Sequence, residues 1–211
     1  DLAREQAIEW SKQRISIIIG EEPFSENYRT YLAQQLAMDL DSTTRGWIGS
    51  SCGVAELGLN IWFETQQTVR IRRLAHSNRA FRDALFGRDS RSGSVATLLH
   101  HNPMRTYVEI LNPDEQGFGQ LVVSMVECGR VIPLIRYITG DIARLITGDR
   151  IRQAYDQIGV AAPPISPLPI VALLGREKSK LPAGGNVIQF QDALYANHTV
   201  ADAITGAFKL I

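Results

Sequence analysis

The 211-residue chain has little of several features that mark particular classes of protein. Its two cysteines, Cys52 and Cys128, allow at most one disulfide, which excludes a disulfide-rich scaffold. The longest uncharged apolar run, near Ile15–Gly20, is far shorter than the roughly 20 residues that a membrane-spanning helix needs. No signal-peptide pattern opens the sequence. These absences lead us to expect a soluble, cytoplasmic protein that does not bind a membrane.

The sequence is also poor in metal-binding and phosphate-binding patterns. It contains four histidines, of which only His100 and His101 are adjacent, and neither cysteine has a second one at metal-ligand spacing. The lysine-containing segment 175–180 lacks the glycine spacing of a phosphate-binding loop. We therefore expect neither a metal site nor a cofactor.

The net charge is zero, but the charges are unevenly distributed along the chain. Residues 1–64 hold ten acidic and five basic residues, which gives this segment a net charge of −5. Residues 65–105 hold eight arginines and two aspartates, which gives a net charge of +6. A chain of this kind can fold back on itself or dock head to tail between copies.

The basic segment contains the sharpest chemical feature, which is seven arginines within residues 70–91. Arginine forms bidentate pairs with both carboxylates and phosphates. The cluster therefore predicts either a hub of arginine–carboxylate pairs, within the fold or between subunits, or a surface for an acidic protein or a nucleic acid. The predicted polyanion-binding residues are Arg70, Arg72, Arg73, Arg79, Arg88 and Arg91.

A cysteine-dependent hydrolase or transferase is the alternative interpretation. Cys52 follows a Gly-Ser-Ser segment and precedes a helical pattern, where a helix N-terminus would stabilise its thiolate. His101 and Asp114 follow in the chain order of a Cys–His–Asp site, with His100 as a second candidate base and Asn112 as a second candidate orienting residue. Any chain that contains these residue types can supply this order, so the pattern is weak evidence.

The periodicity predicts an α+β fold with one globular core over residues 1–160. Residues 1–86 are expected to be mostly helical, residues 106–138 to form a small antiparallel sheet or hairpin, and residues 141–158 to be helical again. Prolines then predict an extended connector, so that residues 161–211 would form a C-terminal helical arm packed on the core or on a neighbouring subunit.

One tetrapeptide occurs twice, as Ile138-Thr-Gly-Asp141 and Ile146-Thr-Gly-Asp149. At both places the glycine is predicted to end one element and the aspartate to cap a following helix. The sequence as a whole favours a non-catalytic binding or assembly protein that self-associates through its arginine-rich helix. Its expected partners are a second copy of the chain, an acidic protein surface or a nucleic acid.

Overall fold

The computed structural model describes residues 8–20, 24–42, 46–87, 95–126, 133–177 and 187–204. These residues form one mixed sheet of eight strands with six α-helices, and a single 3-10 turn precedes the first strand. The strands are β1 (Ile17–Gly20), β2 (Ile48–Val54), β3 (Gly58–Phe63), β4 (Thr97–His101), β5 (Thr106–Leu111), β6 (Gly119–Met125), β7 (Tyr137–Ile146) and β8 (Ile170–Arg176). The helices are α1 (Glu26–Gln35), α2 (Gln66–Ser77), α3 (Arg79–Phe86), α4 (Gly148–Gln157), α5 (Val187–Tyr195) and α6 (His198–Ala203).

The strand order in the sheet is β1-β2-β3-β4-β8-β7-β6-β5. β1 pairs with β2 in parallel, and every other pair is antiparallel. β8 lies between β4 and β7, so the strand that follows the proline-rich connector is central in the sheet. The connector therefore leads back into the core before the chain reaches α5 and α6, which together we call the C-terminal arm.

The helices α2, α3 and α4 cover one face of the sheet. α3 has a strongly one-sided apolar pattern, which places Phe81 and Leu85 in the same buried cluster as Ile151 of α4. Leu98 and Ala172 complete this cluster from strands β4 and β8. Ile71 and Ala75 of α2 also belong to it, so the cluster is shared by three helices and two central strands and fixes α2, α3 and α4 against the middle of the sheet.

Two further clusters complete the core. The first contains Trp62, Leu99, Val123 and Val171, all of them strand residues that alternate with those facing the helices. The second lies under α1, where Phe24, Ala33 and Ile48 are buried between this helix and the β1–β2 edge. The N-terminal strands, α1 and the central sheet are thereby packed as neighbours.

The expectation of a mostly helical N-terminal half with only a small sheet is wrong. Three strands, β1, β2 and β3, lie within residues 1–86, and β2 and β3 form an antiparallel pair between α1 and α2. Gly58, at a φ of 135°, begins β3 directly after the turn. The helical segment after β3 begins at Gln66, and Asn78 divides it into α2 and α3 by capping α3 with its side chain.

The prediction of a helix over residues 141–158 is wrong in its first part. Residues up to Ile146 belong to β7, which pairs with β6 on one side and β8 on the other. Short apolar runs fit a strand or a helix equally well, and pairing on both sides decides for the strand. Thr147 then accepts a hydrogen bond from Arg150 N and caps α4.

Within residues 106–138, β5 and β6 form an antiparallel hairpin, but it is one edge of the eight-stranded sheet rather than a separate small sheet. Ser25 caps α1 by accepting a hydrogen bond from Tyr28 N. The final helical segment exists as two short helices, with Asn197 capping the second. In the described ranges, no helix is both long enough and apolar enough to cross a membrane.

Candidate functional site

The centre of the candidate site is a buried ionic network where α1, β2, β3 and α2 meet. Glu64 directly follows β3, and Thr65 then caps α2, so the carboxylate stands at the base of that helix. Arg29 of α1 donates to Glu64 at 2.8 Å and to Glu26 at 3.0 Å. Arg29 and Glu64 are fully buried and Glu26 nearly so.

Arg72 is the second cation of this network. Its Nη1 lies 3.4 Å from Glu64 Oε1, and its Nη2 donates to the carbonyl of Phe24 at 2.6 Å. Its Nε lies 3.2 Å from Glu26 Oε1 but is not aligned for a hydrogen bond. Two arginines and two glutamates therefore neutralise each other away from water, which is the arrangement that buried charges require.

The electrostatics of the network follow from burial and pairing. Burial alone would raise the pKa of Glu26, but Arg29 and Arg72 outweigh it and hold the pKa below its usual value. Burial would likewise lower the pKa of Arg29, but Glu26 and Glu64 raise it instead. Glu26 and Arg29 are thus held in their charged forms. Glu64 Oε2 also accepts Ser50 N–H at 2.8 Å.

Two cavities lie against this network. The first, which we call the arm cavity, measures about 380 Å³ and is lined by Glu26 and Arg72 on the core side and by residues of α5 on the other. The second, which we call the aromatic cavity, measures about 710 Å³ and has Glu64 in its wall. Both volumes are in the range of small-molecule sites in proteins, but the aromatic cavity is a shallow depression that is wide open to solvent.

The arm cavity is closed by polar contacts between α5 and the N-terminus of α1. Asp192 accepts hydrogen bonds from Asn27 N at 3.0 Å and contacts His76 Nε2 at 3.1 Å. Tyr195 stacks against Tyr28 with ring centroids 4.4 Å apart. Asp192 acts as an intramolecular anion at the α1 N-terminus, where the helix dipole favours negative charge.

The His76–Asp192 pair predicts that α5 docks less firmly as the pH rises. The hydrogen bond to Asp192 raises the pKa of His76. The stability that the charged imidazole adds to the docking of α5 is therefore complete below the unfolded pKa of about 6.5, and it is lost as the pH rises through the higher folded pKa. Burial alone would raise the pKa of Asp192, but His76 lowers it. The stability that the Asp192 carboxylate adds to the docking of α5 is therefore lost in acid, from about pH 4 downward.

Hydrogen exchange of the α5 amides, corrected for the intrinsic rate, measures this effect. We expect protection to be greatest between about pH 4 and 6.5 and to fall above that range. The substitution Asp192→Asn should remove this fall in the protection of the α5 amides at higher pH. Equal protection at pH 5 and pH 8 in the unmodified protein would contradict the prediction.

The aromatic cavity lies between the α2 N-terminus, the β3–β4 pair and the proline-rich connector. Trp47 and Phe63 supply partly exposed aromatic walls, and Phe63 pairs across the strands with His100. His100 is fully buried (0% exposed), and its Nδ1 lies 3.2 Å from the carbonyl of Pro169. Its Nε2 is buried and has no hydrogen-bond partner in the part of the chain that the structure describes.

One glutamine side chain holds the connector at the mouth of this cavity. Gln67 Oε1 accepts Ser166 N–H at 2.9 Å, and Gln67 Nε2 donates to the carbonyl of Pro164. Burial lowers the pKa of His100, and the connector carbonyls of Pro169 and Leu168 only partly oppose this shift. The imidazole is therefore neutral at physiological pH.

The arginines that the sequence nominated for polyanion binding do not share one surface role. Arg72 is buried in the network, and both Arg70 and Arg73 contact Asp41, the first through its carbonyl and the second through its carboxylate. Arg79 lies 3.5 Å from Asp83 on its own helix. Arg88 and Arg91 lie outside the described residues, and polyanion binding by this cluster stays a prediction.

The structure does not bring together the three residues of the thiol interpretation. Cys52 and His101 both face Trp62 from the neighbouring strands, which puts two strand spacings, about 10 Å, between them. Asp114 lies in the β5–β6 turn at the opposite edge of the sheet, where its carboxylate accepts Gln116 N and Phe118 N. His100 faces the other side of the sheet from Cys52, and Cys128 lies outside the described residues.

Sequence reasoning missed most of the site. Glu26 and Glu64 were counted only as part of the acidic segment, and Gln67 gave no signal. The one usable signal was the arginine cluster of residues 70–91 following the acidic segment 1–64, which predicted arginine–carboxylate pairs. Among the described residues, no group of three or more histidines, cysteines, aspartates and glutamates is placed to hold a metal ion.

Comparison of the chain with protein-family models gives no match, and comparison with curated protein sequences gives none either. The functional argument therefore depends on the geometry of the site.

Proposed function

We propose that the protein is a non-catalytic binding protein that takes a small ligand in the aromatic cavity. The observation that carries this proposal is the pair of partly exposed aromatic rings, Trp47 and Phe63, that line this cavity of about 710 Å³ beside the N-terminus of α2. Rings of this kind give a small aromatic ligand an apolar surface on which to stack.

The remaining walls support binding rather than catalysis. Glu64 cannot act as a base, because its oxygens accept from Arg29, Arg72 and the Ser50 amide. Partly exposed aromatic rings beside a few fixed polar groups are typical of small-molecule sites. The network below the cavity holds β2, β3 and α2 in place, which keeps the site preformed.

A library of small aromatic compounds, followed by NMR, tests this proposal. We expect binders to shift the signals of the Trp47 indole and the Gln66 amide. The substitution Phe63→Ala should weaken the binding of these compounds about three- to tenfold, because it removes an aromatic wall of the cavity. Tyr107→Ala, which removes another exposed aromatic from edge strand β5, is the matched control and should have no effect. If no compound shifts the Trp47 and Gln66 signals, the proposal fails.

Assembly through the remaining exposed arginines is a second proposal, supported by the exposure of Arg70 and by Arg79, whose side chain is 84% exposed. The double substitution Arg70→Glu and Arg79→Glu should abolish any salt-sensitive self-association measured by sedimentation velocity. Arg152→Glu, on α4, is the control. Unchanged sedimentation would contradict assembly, and loss of retention on a short polynucleotide instead would assign the arginines to nucleic acid.

A further inference from the structure

The outer edge of β5 presents backbone hydrogen-bonding groups to a further strand. β5 is the last strand on this side of the sheet that the structure describes, and it pairs with β6 over six consecutive residues. Val126 N–H donates to the Arg105 carbonyl at 3.0 Å, so Arg105 and every second residue after it direct their backbone groups to β6. The alternate residues, Thr106, Val108 and Ile110, therefore direct theirs to the open edge.

Part of this edge is already satisfied, because Thr106 N–H donates to the Asn102 carbonyl at 3.1 Å. Among the described residues, the N–H groups of Val108 and Ile110 have no partner, and neither have the carbonyls of Thr106 and Val108. Edge strands with such groups pair with other chains unless prolines, charges or bulges prevent it.

The sequence of β5 has few of the features that protect edge strands. Its six residues include no proline, glycine or lysine, and its pairing with β6 contains no bulge. Its one charged residue, Glu109, is paired with Arg136 of the same sheet at 3.3 Å. The opposite edge strand, β1, has only four residues and ends at Gly20. Of the two edges of the described sheet, β5 is therefore better suited to pairing with another chain.

The surface beside this edge is apolar and open to solvent. Tyr107 is 60% exposed, and Ile138 of β7 is 51% exposed. Both lie on the same face of the sheet, because the register aligns Glu109 with Val122 and Val122 with Ile138. A strand added to β5 would cover part of this surface, so it would bury apolar area as well as pair backbone groups.

We propose that the β5 edge is a dimer interface, in which a second copy of the chain adds its own β5 in antiparallel orientation about a two-fold axis at Val108. Each Val108 N–H then donates to the Val108 carbonyl of the other copy, and each Ile110 N–H donates to the Thr106 carbonyl of the other copy. A second copy fits this edge because each of the two unpaired N–H groups meets an unpaired carbonyl.

The side chains are complementary in the same register. Residues directly opposite each other share a face of the sheet, so Tyr107 of one copy meets Glu109 of the other, and the exposed Arg105 lies diagonal to the same glutamate. The two glutamates are diagonal to each other, but each is paired with Arg136 of its own copy. This interface is separate from the aromatic cavity, so it does not depend on the small-ligand proposal.

Hydrogen exchange of the β5 amides in the unmodified protein tests this pairing. The amides of Val108 and Ile110 do not bond to β6, so their protection should rise at least about tenfold between samples of about 1 μM and about 1 mM. The amides of Tyr107 and Glu109 bond to β6 in either state, so their protection should not change with concentration. Protection that rises equally at all four amides, or at none, would overturn the proposal.

Two substitutions at the exposed Tyr107 give an independent test by sedimentation velocity. Tyr107→Glu places a glutamate opposite Glu109 of the other copy, whereas Tyr107→Lys removes the same ring but places a lysine there. We expect the dimer of Tyr107→Glu to have a dissociation constant at least about tenfold higher than that of Tyr107→Lys at low salt. Equal constants for the two variants would contradict this interface, and so would a dimer that is lost on Arg70→Glu and Arg79→Glu substitution.

Discussion

Replacing Glu64 by glutamine is expected to lower the free energy of unfolding by about 3–5 kcal/mol, because it leaves two buried arginines with one carboxylate between them. Glu64 is fully buried and accepts from Arg29 at 2.8 Å and from Ser50 N at 2.8 Å. Glutamine has the same shape, so the loss measures the charge rather than a cavity. Urea unfolding followed by circular dichroism gives the value.

Asp41→Asn is the matched control for this substitution. Asp41 also pairs with an arginine, Arg73, at 2.5 Å, but the aspartate side chain is 82% exposed. Exposed ion pairs contribute little to stability, so Asp41→Asn should lower the free energy of unfolding by less than about 1 kcal/mol. Similar losses for Glu64→Gln and Asp41→Asn would show that the buried network does not hold the site together.

Replacing Phe81 by alanine is the second change with a large expected effect. Phe81 is fully buried in the cluster between α3, α4 and the sheet, and its ring meets the edge of Tyr155 with centroids 4.9 Å apart. Removing a buried phenylalanine side chain costs about 3–5 kcal/mol, from lost transfer free energy and the cavity left behind. Thermal or urea unfolding measures this loss.

Comparing Phe63→Ala with Phe81→Ala separates an effect on stability from an effect on binding, because both substitutions remove a phenylalanine ring. Phe63 is 39% exposed and borders the aromatic cavity, so its loss should cost less than half as much stability as that of Phe81. Ligand binding should respond in the opposite order, with Phe63→Ala weakening it and Phe81→Ala acting only through unfolding. A larger stability loss at Phe63 than at Phe81 would contradict the assignment of the core.

The repeated tetrapeptide explains why part of the fold could not be predicted from the sequence. The first copy, Ile138–Asp141, lies inside β7, whereas the second, Ile146–Asp149, ends that strand and caps α4. Identical local sequences adopt different structures here because β6 and β8 pair with the first copy. Local preference is decided by pairing that is distant in the chain, as at the β2–β3 pair.

The site divides in the same way between predictable and unpredictable parts. The arginine cluster and the acidic N-terminal segment together predicted arginine–carboxylate pairing, and Arg72 and Arg73 do contact carboxylates from that segment. The particular partners, Glu26 and Glu64, are 46 and 8 positions away from Arg72 and could not be chosen from ten acids. His100 had no sequence signal, because its role depends on a connector carbonyl 69 positions along the chain.

The NMR signals of the Trp47 indole and the Gln66 amide test the central claim most directly. We predict that small aromatic compounds shift both signals in the unmodified protein, and that Phe63→Ala weakens their binding about three- to tenfold while Tyr107→Ala leaves it unchanged. Equal binding to the Phe63→Ala and Tyr107→Ala variants, or no shift of either signal at saturating concentration, would contradict the account.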